Sequence, residues 1–491
     1  MQFSFYRILN KRTVFSIVCV GLFLGVVSAA ERLDTTKVYS INEVNVTEQH
    51  RTAEVRSSAP LQILSSKQIE KLNALQVSDA VKYFSGVTVK DYGGIGGLKT
   101  ISVRSLGAGH TAVSYDGITL TDCQTGQIDI GRFSLDNVDM LSLNNGQSDN
   151  IFQPARMFAS ASLLNIRTVS PQFVSNNTFI GKASLKAGSF GMINPAFFLQ
   201  QKISKKYAAT LSGEWLSAHG QYPYLLQHSY LGNGSTSNEV RKNSDVQNFR
   251  IEGALHANFS EKESGYLKAY LYNSERGLPG GTILYNEGAF TSQRMWDNTF
   301  FTQAHYENHF SKLFSLQLNA KYHHGYLHYL DTVVLNNPGY EESYFTQNEY
   351  YASAALLYRA FQHISFSFST DASVNTMFAR YENAALTESF AQPVRYSLLS
   401  VLAAKYVTEN ILATASLLST LVTETVVNGT NAPDRNRLSP YLSVTYKPFN
   451  KTDVRFRAFY KNIFRLPTFN DLYYSRIGNA DLRPEIADQI N

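Results

Sequence analysis

ISVRSLGAGHTAVSYDGITL (101–120), followed by DIGRFSLDNVDMLSLNNGQS (129–148) and ASASLLNIRT (159–168), reads as short strands broken by turns. It lies behind an export signal and ahead of roughly 320 residues of aromatic, alternating strand. That order, a small folded unit and then a long run of β-hairpins, decides the fold. Working back from it, SSKQIEKLNALQVSDAVKYFSG (65–86) predicts two short helices. Ser65 or Ser66 caps the first, whose apolar side is Ile69, Leu72 and Leu75. Ser78 and Asp79 cap the second, with Ala80, Val81 and Phe84 on one side and Gly86 as its stop. Strands are expected at VTVK (87–90), TISVRS (100–105), TAVSYDG (111–117) and VDMLSLNN (138–145). Together these make a mixed α/β domain of roughly 130 residues.

Working forward, the texture changes near Thr178. Segments of ten to fifteen residues alternate with period two and are separated by polar or Gly/Asn/Pro turns. In TDVRFRAFYKNIF (452–464), Val454, Phe456, Ala458 and Tyr460 point one way, and Arg455, Arg457, Phe459 and Lys461 the other. SLQLNAKY (315–322), ISFSFST (364–370) and GYLKAYLYN (265–273) alternate in the same manner, and roughly fourteen such segments follow to the C-terminus. A strand in lipid turns apolar side chains outward while its other face lines a wet lumen. An arginine at the midplane of the lipid face would cost roughly 2–4 kcal/mol, so Arg455 and Arg457 are expected to face inward or lie near an interface. A soluble sandwich or propeller also alternates. Against it stand segments longer than the usual 5–6 residues, aromatic residues recurring near segment ends, and connections that alternate short (203–207) and long (after Trp215).

The N-terminus carries Arg7, Lys11 and Arg12, an apolar core from Val14 to Val27, and Ser28-Ala29-Ala30, a secretory signal cleaved before Glu31. The core is short for a retained anchor, and no later stretch has the ~20 apolar residues of a spanning helix. Cleavage leaves Cys123 alone, which excludes an internal disulfide and a cysteine metal pair. The net charge of +5 comes from scattered basic residues, so no nucleic-acid partner is expected. YGGIGGLKT (92–100) lacks the Gly-Lys-Thr succession of a phosphate loop, because Leu98 separates Gly97 from Lys99. His323 and His324 would face opposite sides of a strand, so they and His328 do not predict a metal site. No nucleophile–base or paired-carboxylate motif argues for an enzyme, and no cofactor or metal is expected.

With these motifs in order, the chain resembles a TonB-dependent outer-membrane receptor. SAPLQILSSKQIEKLNALQVSDAVKYFSGVTV resembles the opening helices and first strand of the family's plug, and the 101–120 stretch resembles its paired strands. VDMLSLNNGQS and SLLNIRT resemble the two strands that close it. FYKNIFRLPTFNDLYYSRIGNADLRPE (459–485) is similar to a barrel stretch commonest in cobalamin-type and siderophore-type members. Ser105 after Arg104, Asn144-Asn145-Gly146, and Ser162-Leu163 depart from the family's usual glycines and Arg-Gly-Pro, which places the chain in a divergent branch.

The resemblance implies a mainly β fold: a transmembrane antiparallel β-barrel, incomplete in this chain, with an N-terminal α/β plug domain in its lumen. The expected divisions are a signal peptide (1–30), a TonB-box and linker segment (31–60), the plug (61–170) and the barrel (171–491). Because RPEIADQIN ends as a strand begins, the sequence is expected to be incomplete or one part of a split chain, with C-terminal strands missing. The implied activity is active import of a scarce large solute, cobalamin or a ferric siderophore or haem, across the bacterial outer membrane. The implied partners are the energy-transducing protein TonB, outer-membrane lipid, a small-to-medium solute and a surface lipoprotein. Glu43-Val44-Asn45-Val46-Thr47 is the TonB-box candidate, able to pair edge-to-edge with a partner strand. Arg104 and Asp116 either anchor the plug to barrel-wall charges or are solvated in the lumen. Tyr92, Gly93, Gly94, Gly96 and Gly97 form a plug apex loop whose backbone can approach a ligand closely. The alternatives are an uncoupled porin- or adhesin-like barrel and a soluble secreted β-rich enzyme.

Overall fold

The computed structural model describes residues 53–174, 176–227, 236–280, 292–333, 339–382, 390–449, 452–474 and 477–491. The signal and residues 43–47 lie outside the described residues. The N-terminal unit is built on a five-stranded sheet in the order β1-β6-β7-β4-β5. Its strands are β1 (Leu61–Ser65), β4 (Thr111–Tyr115), β5 (Ile118–Leu120), β6 (Val138–Asn145) and β7 (Ser162–Thr168), with only the β4–β7 pair parallel. A separate hairpin joins β2 (Val87–Asp91) and β3 (Lys99–Val103).

Helix α1 spans Ser66–Lys71, and the Gln68 side chain accepts the Ser65 N–H at 2.9 Å. Helix α2, Val77–Ala80, begins earlier than its sequence suggests. Gln76 stands at the N-cap, bridged to Ser134. Asp79 caps from inside the first turn, accepting the Leu75 and Gln76 N–H groups at 3.2 Å, while Ser78 is buried. A carboxylate at the third helical position satisfies the orphan donors as well as one ahead of the helix, which moves the start back two residues.

The remainder forms one fourteen-stranded antiparallel meander, as many strands as the sequence pattern suggests. It comprises β8 (Phe179–Gly188), β9 (Met192–Lys202), β10 (Tyr207–Ala218), β13 (Val246–Ser260), β14 (Glu263–Gly277), β15 (Arg294–Asn308) and β16 (Phe314–Asp331). It continues through β17 (Glu341–Tyr358), β18 (Ile364–Tyr381), β19 (Val394–Val407), β20 (Ile411–Thr425), β21 (Arg435–Tyr446), β22 (Phe456–Arg465) and β23 (Glu485–Ile490). A hairpin of β11 (Pro223–Gln227) and β12 (Thr236–Val240) stands outside the sheet. β16, β17 and β18 are 18 residues long, beyond the 9–11 that cross a bilayer.

Period two decides which face is dry. On β14, Leu267, Ala269 and Leu271 are exposed on the outer surface, while Lys268, Tyr270 and Tyr272 are buried. On β22, Phe456, Ala458 and Tyr460 lie outside, as does Val454 just before it, and Phe459 and Lys461 lie inside. Polar residues inside and apolar residues outside is the order of a membrane barrel and the reverse of a soluble sandwich. Tight turns (203–206, 261–262, 309–313, 359–363, 408–410) gather on one rim. Beside them sits an aromatic band in which Phe314 stacks on Tyr358 at 4.8 Å and Tyr207 meets Phe259 edge-on. The N-terminal unit packs against the inner face: Tyr270, Tyr272 and Phe301 of the wall share one buried core with Val113, Tyr115, Phe133 and Leu141.

Candidate functional site

Two buried charge clusters tie the plug to the wall. In the first, the β4–β5 turn holds Asp116 at φ +48, a left-handed conformation that Asp tolerates better than most residues. Its carboxylate accepts the Thr168 N–H at 2.7 Å and pairs with Lys268 of β14. The Tyr266 hydroxyl donates to the Asp116 carbonyl at 2.6 Å. Lys268 also reaches Glu252 of β13 at 3.0 Å, and Glu252 accepts from the Tyr115 hydroxyl and from Asn137. Burial, then the Glu252 charge, pushes the Tyr115 phenol well above its ordinary range, so it stays a donor.

The second cluster centres on Glu349 of β17, with 1% of its side chain exposed. It takes Arg156 of the plug at 2.6 Å, Lys321 of β16 at 2.6 Å, and the Thr121 hydroxyl. Next to it, Asp371 of β18 accepts the Ala155 and Arg156 N–H groups at 2.9 and 2.8 Å, capping the 3-10 turn Ala155–Phe158. A low-dielectric interior tolerates such charges only when they are paired and hydrogen-bonded. No sequence motif marked Glu349, Lys321, Glu252 or Lys268. Each is an inward residue on an alternating strand, and its plug partner is more than a hundred positions away.

Above these clusters, towards the long-loop rim, the plug and wall enclose a cavity of about 310 Å3. Tyr92, Asp129, Arg132 and Phe133 face it from the plug, and Arg276, Asp297, Phe301 and His323 from β14–β16. Four of its charges are paired: Arg276 with Asp297, and Arg132 3.9 Å from Asp129 and donating to Thr299 at 2.8 Å, while Asp122 accepts from Thr125 N–H and the Gln347 amide. The rest of its surface is mostly aromatic and aliphatic.

The apex loop sits at this cavity. Tyr92 is half exposed on its wall, and Asp91 accepts the Gly93 and Gly94 N–H groups at 3.1 and 2.8 Å. Gly94 has φ +74, and a Cβ on Gly96 would lie 2.6 Å from Val246 Cβ. Arg104 stands apart from both charge clusters. Its side chain is exposed, donates to Asn491 at 3.1 Å, and has no carboxylate at ion-pair distance among the described residues. His323 and His324 fall on opposite faces, His323 lining the cavity and His324 beside Asn348 at 2.8 Å. The stretch 467–474 carries a short helix, α3 (Phe469–Tyr473), capped by Thr468 and docked on the plug through Phe469 N–H to Cys123 O at 2.9 Å.

Residues 53–159 match the TonB-dependent receptor plug domain, and residues 222–491 match the TonB-dependent receptor-like β-barrel. The chain belongs to the TonB-dependent receptors. Among solved structures, it is similar to Pseudomonas aeruginosa FpvA bound to pyoverdine and iron (13% identity, TM-score 0.64, 84% of this chain and 58% of that one). The copper transporter OprC matches at 13% identity and TM-score 0.69, over 88% of this chain and 67% of that one. The FrpB iron transporter of Neisseria meningitidis matches at 12% identity and TM-score 0.65, over 84% and 66%. The chain thus spans 58% of the length of FpvA. It is a mainly β, integral outer-membrane receptor with an N-terminal plug inside its barrel.

Proposed function

We propose that this receptor is a gated, TonB-energised importer of a scarce solute too large for open pores, with cobalamin or a ferric chelate as leading cargo. The observation that carries this reading is the plug's position: it fills the lumen, fastened by buried charges, beneath a cavity that opens between its apex and the wall. A barrel closed in this way needs work to open. Residues 43–47 supply the attachment for that work, pairing as an added strand with TonB, whose pull draws on the inner-membrane proton gradient. Asp116 anchors the plug and Tyr92 to Gly97 contact the solute. The named neighbours handle ferripyoverdine, iron and copper, in keeping with a metal chelate.

The test is growth of a deletion strain with cobalamin, haem or siderophore-bound iron as the limiting nutrient. Restoration only by high concentrations of one of them names the cargo; normal growth on all three at limiting supply contradicts the proposal.

A further inference from the structure

A second hollow, of about 610 Å3, lies below the plug on the short-turn side. It shares a wall with the upper cavity. Along β15 the upper cavity touches Met295 to Phe301 and the lower one His305 and Glu307. Along β14 the corresponding residues are Arg276 and Tyr266, and along β16 they are His323 and Gln317. The two linings come nearest on β15, where Phe301 and His305 lie four positions, roughly 13 Å, apart; they are six positions apart on β16 and ten on β14.

What fills that interval is a compact septum. Tyr270 stacks on Phe301 with centroids 4.6 Å apart, and the plug's Tyr115 lies 5.9 Å from Phe301 and 5.3 Å from Phe133. Directly behind the rings sits Gln303, in register with Lys268 on one side and Lys321 on the other. Those two lysines are the wall members of the two charge clusters. Gln303 is 0% exposed, and neither end of its amide has a hydrogen-bond partner among the described residues. A buried amide left unsatisfied is costly and is not explained by packing.

We propose that the solute crosses along this one wall, β14–β16, with the four-ring septum as its gate, Gln303 as a polar contact in passage, and the lower hollow as a second solute site. The two sites select for an amphiphilic solute. The upper one offers Phe133, Phe301 and Met295; the lower one is more mixed, setting Asn165, His256, His305 and Glu307 beside Met140 and Met157. The inference rests on the import reading, but it places the opening in one thin partition and leaves the contacts of the plug with β18–β20 intact.

Passive entry of nitrocefin into cells carrying a periplasmic β-lactamase tests it without TonB. A Tyr270→Ala, Phe301→Ala pair removes two septum rings. The matched control is a Phe158→Ala, Leu399→Ala pair, buried between plug and wall elsewhere. Phe301→Leu serves as a milder variant, and heat-modifiable migration verifies assembly. Nitrocefin entry several-fold above wild type for the septum pair, smaller for Phe301→Leu and unchanged for the control, is the expected result. Equal entry for the two pairs, or wild-type entry for the septum pair, overturns the route. A failed import reading would show instead as solute uptake that does not depend on TonB.

Discussion

Arg156 of the plug and Glu349 of β17 form an ion pair of 2.6 Å, and Lys321 of β16 meets the same carboxylate at the same distance. One buried acid therefore answers two buried bases, one from each domain. Removing it strands both.

Glu349→Ala is expected to weaken plug docking by about 3–5 kcal/mol, since it leaves uncompensated buried charge. Replacing Glu349, Arg156 and Lys321 together with apolar residues of similar volume should cost less than the single change. Protease susceptibility of the plug in detergent-solubilised receptor measures both.

Asp116→Asn preserves the left-handed turn, which Asn tolerates, and removes only the charge facing Lys268. Lys268 retains Glu252 at 3.0 Å, so the expected loss is about 1.5–3 kcal/mol. Arg104→Ala should change plug stability by less than about 0.5 kcal/mol, because its side chain is exposed and faces no carboxylate among the described residues. A reversed order in chemical denaturation would contradict the assignment of Asp116 as anchor.

The phenol of Tyr115 carries a pH signature. Its pKa in the folded receptor lies well above 10.0. An unfolded plug would lose that proton near pH 10 while the folded one keeps it, so the group's contribution is present below pH 10 and declines above it. Denaturation between pH 8 and 11 should show a stability decline that Tyr115→Phe diminishes.

Gly96→Ala places a methyl 2.6 Å from Val246 Cβ. The apex loop must shift, at a cost of about 1–3 kcal/mol, and solute affinity should fall. Val246→Gly in the same chain removes that Cβ and should restore affinity. If Gly96→Ala binds as wild type, the loop is not a ligand contact.

How far the sequence reveals all this follows from the range of each signal. Period-two patterning is local, so the lumen and lipid faces of Leu267 to Tyr272 and of Val454 to Lys461 are legible residue by residue. The plug strand Val138–Asn145 is marked at both ends by turn residues. Helix α2 is misplaced because Asp79 can cap from ahead of a helix or from within it, and spacing does not distinguish the two. The charge clusters are hidden for a different reason. Lys268, Glu349 and Asp371 look like any polar residue on the wet face of a strand, and their partners come from pairings more than a hundred residues apart. Arg104 and Asp116 are equally conspicuous in the sequence, yet among the described residues only Asp116 has an opposite wall charge beside it; the turn geometry that aims it is set by Gly117 and the parallel β4–β7 pair.

The most direct measurement is TonB-dependent uptake by a receptor lacking residues 43–47. Surface binding of the cargo should match wild type while accumulation in the periplasm falls to the level of a strain without TonB. Undiminished accumulation in the deletion would mean that the barrel passes its solute without being pulled, and the account of a latched, energised gate would be wrong.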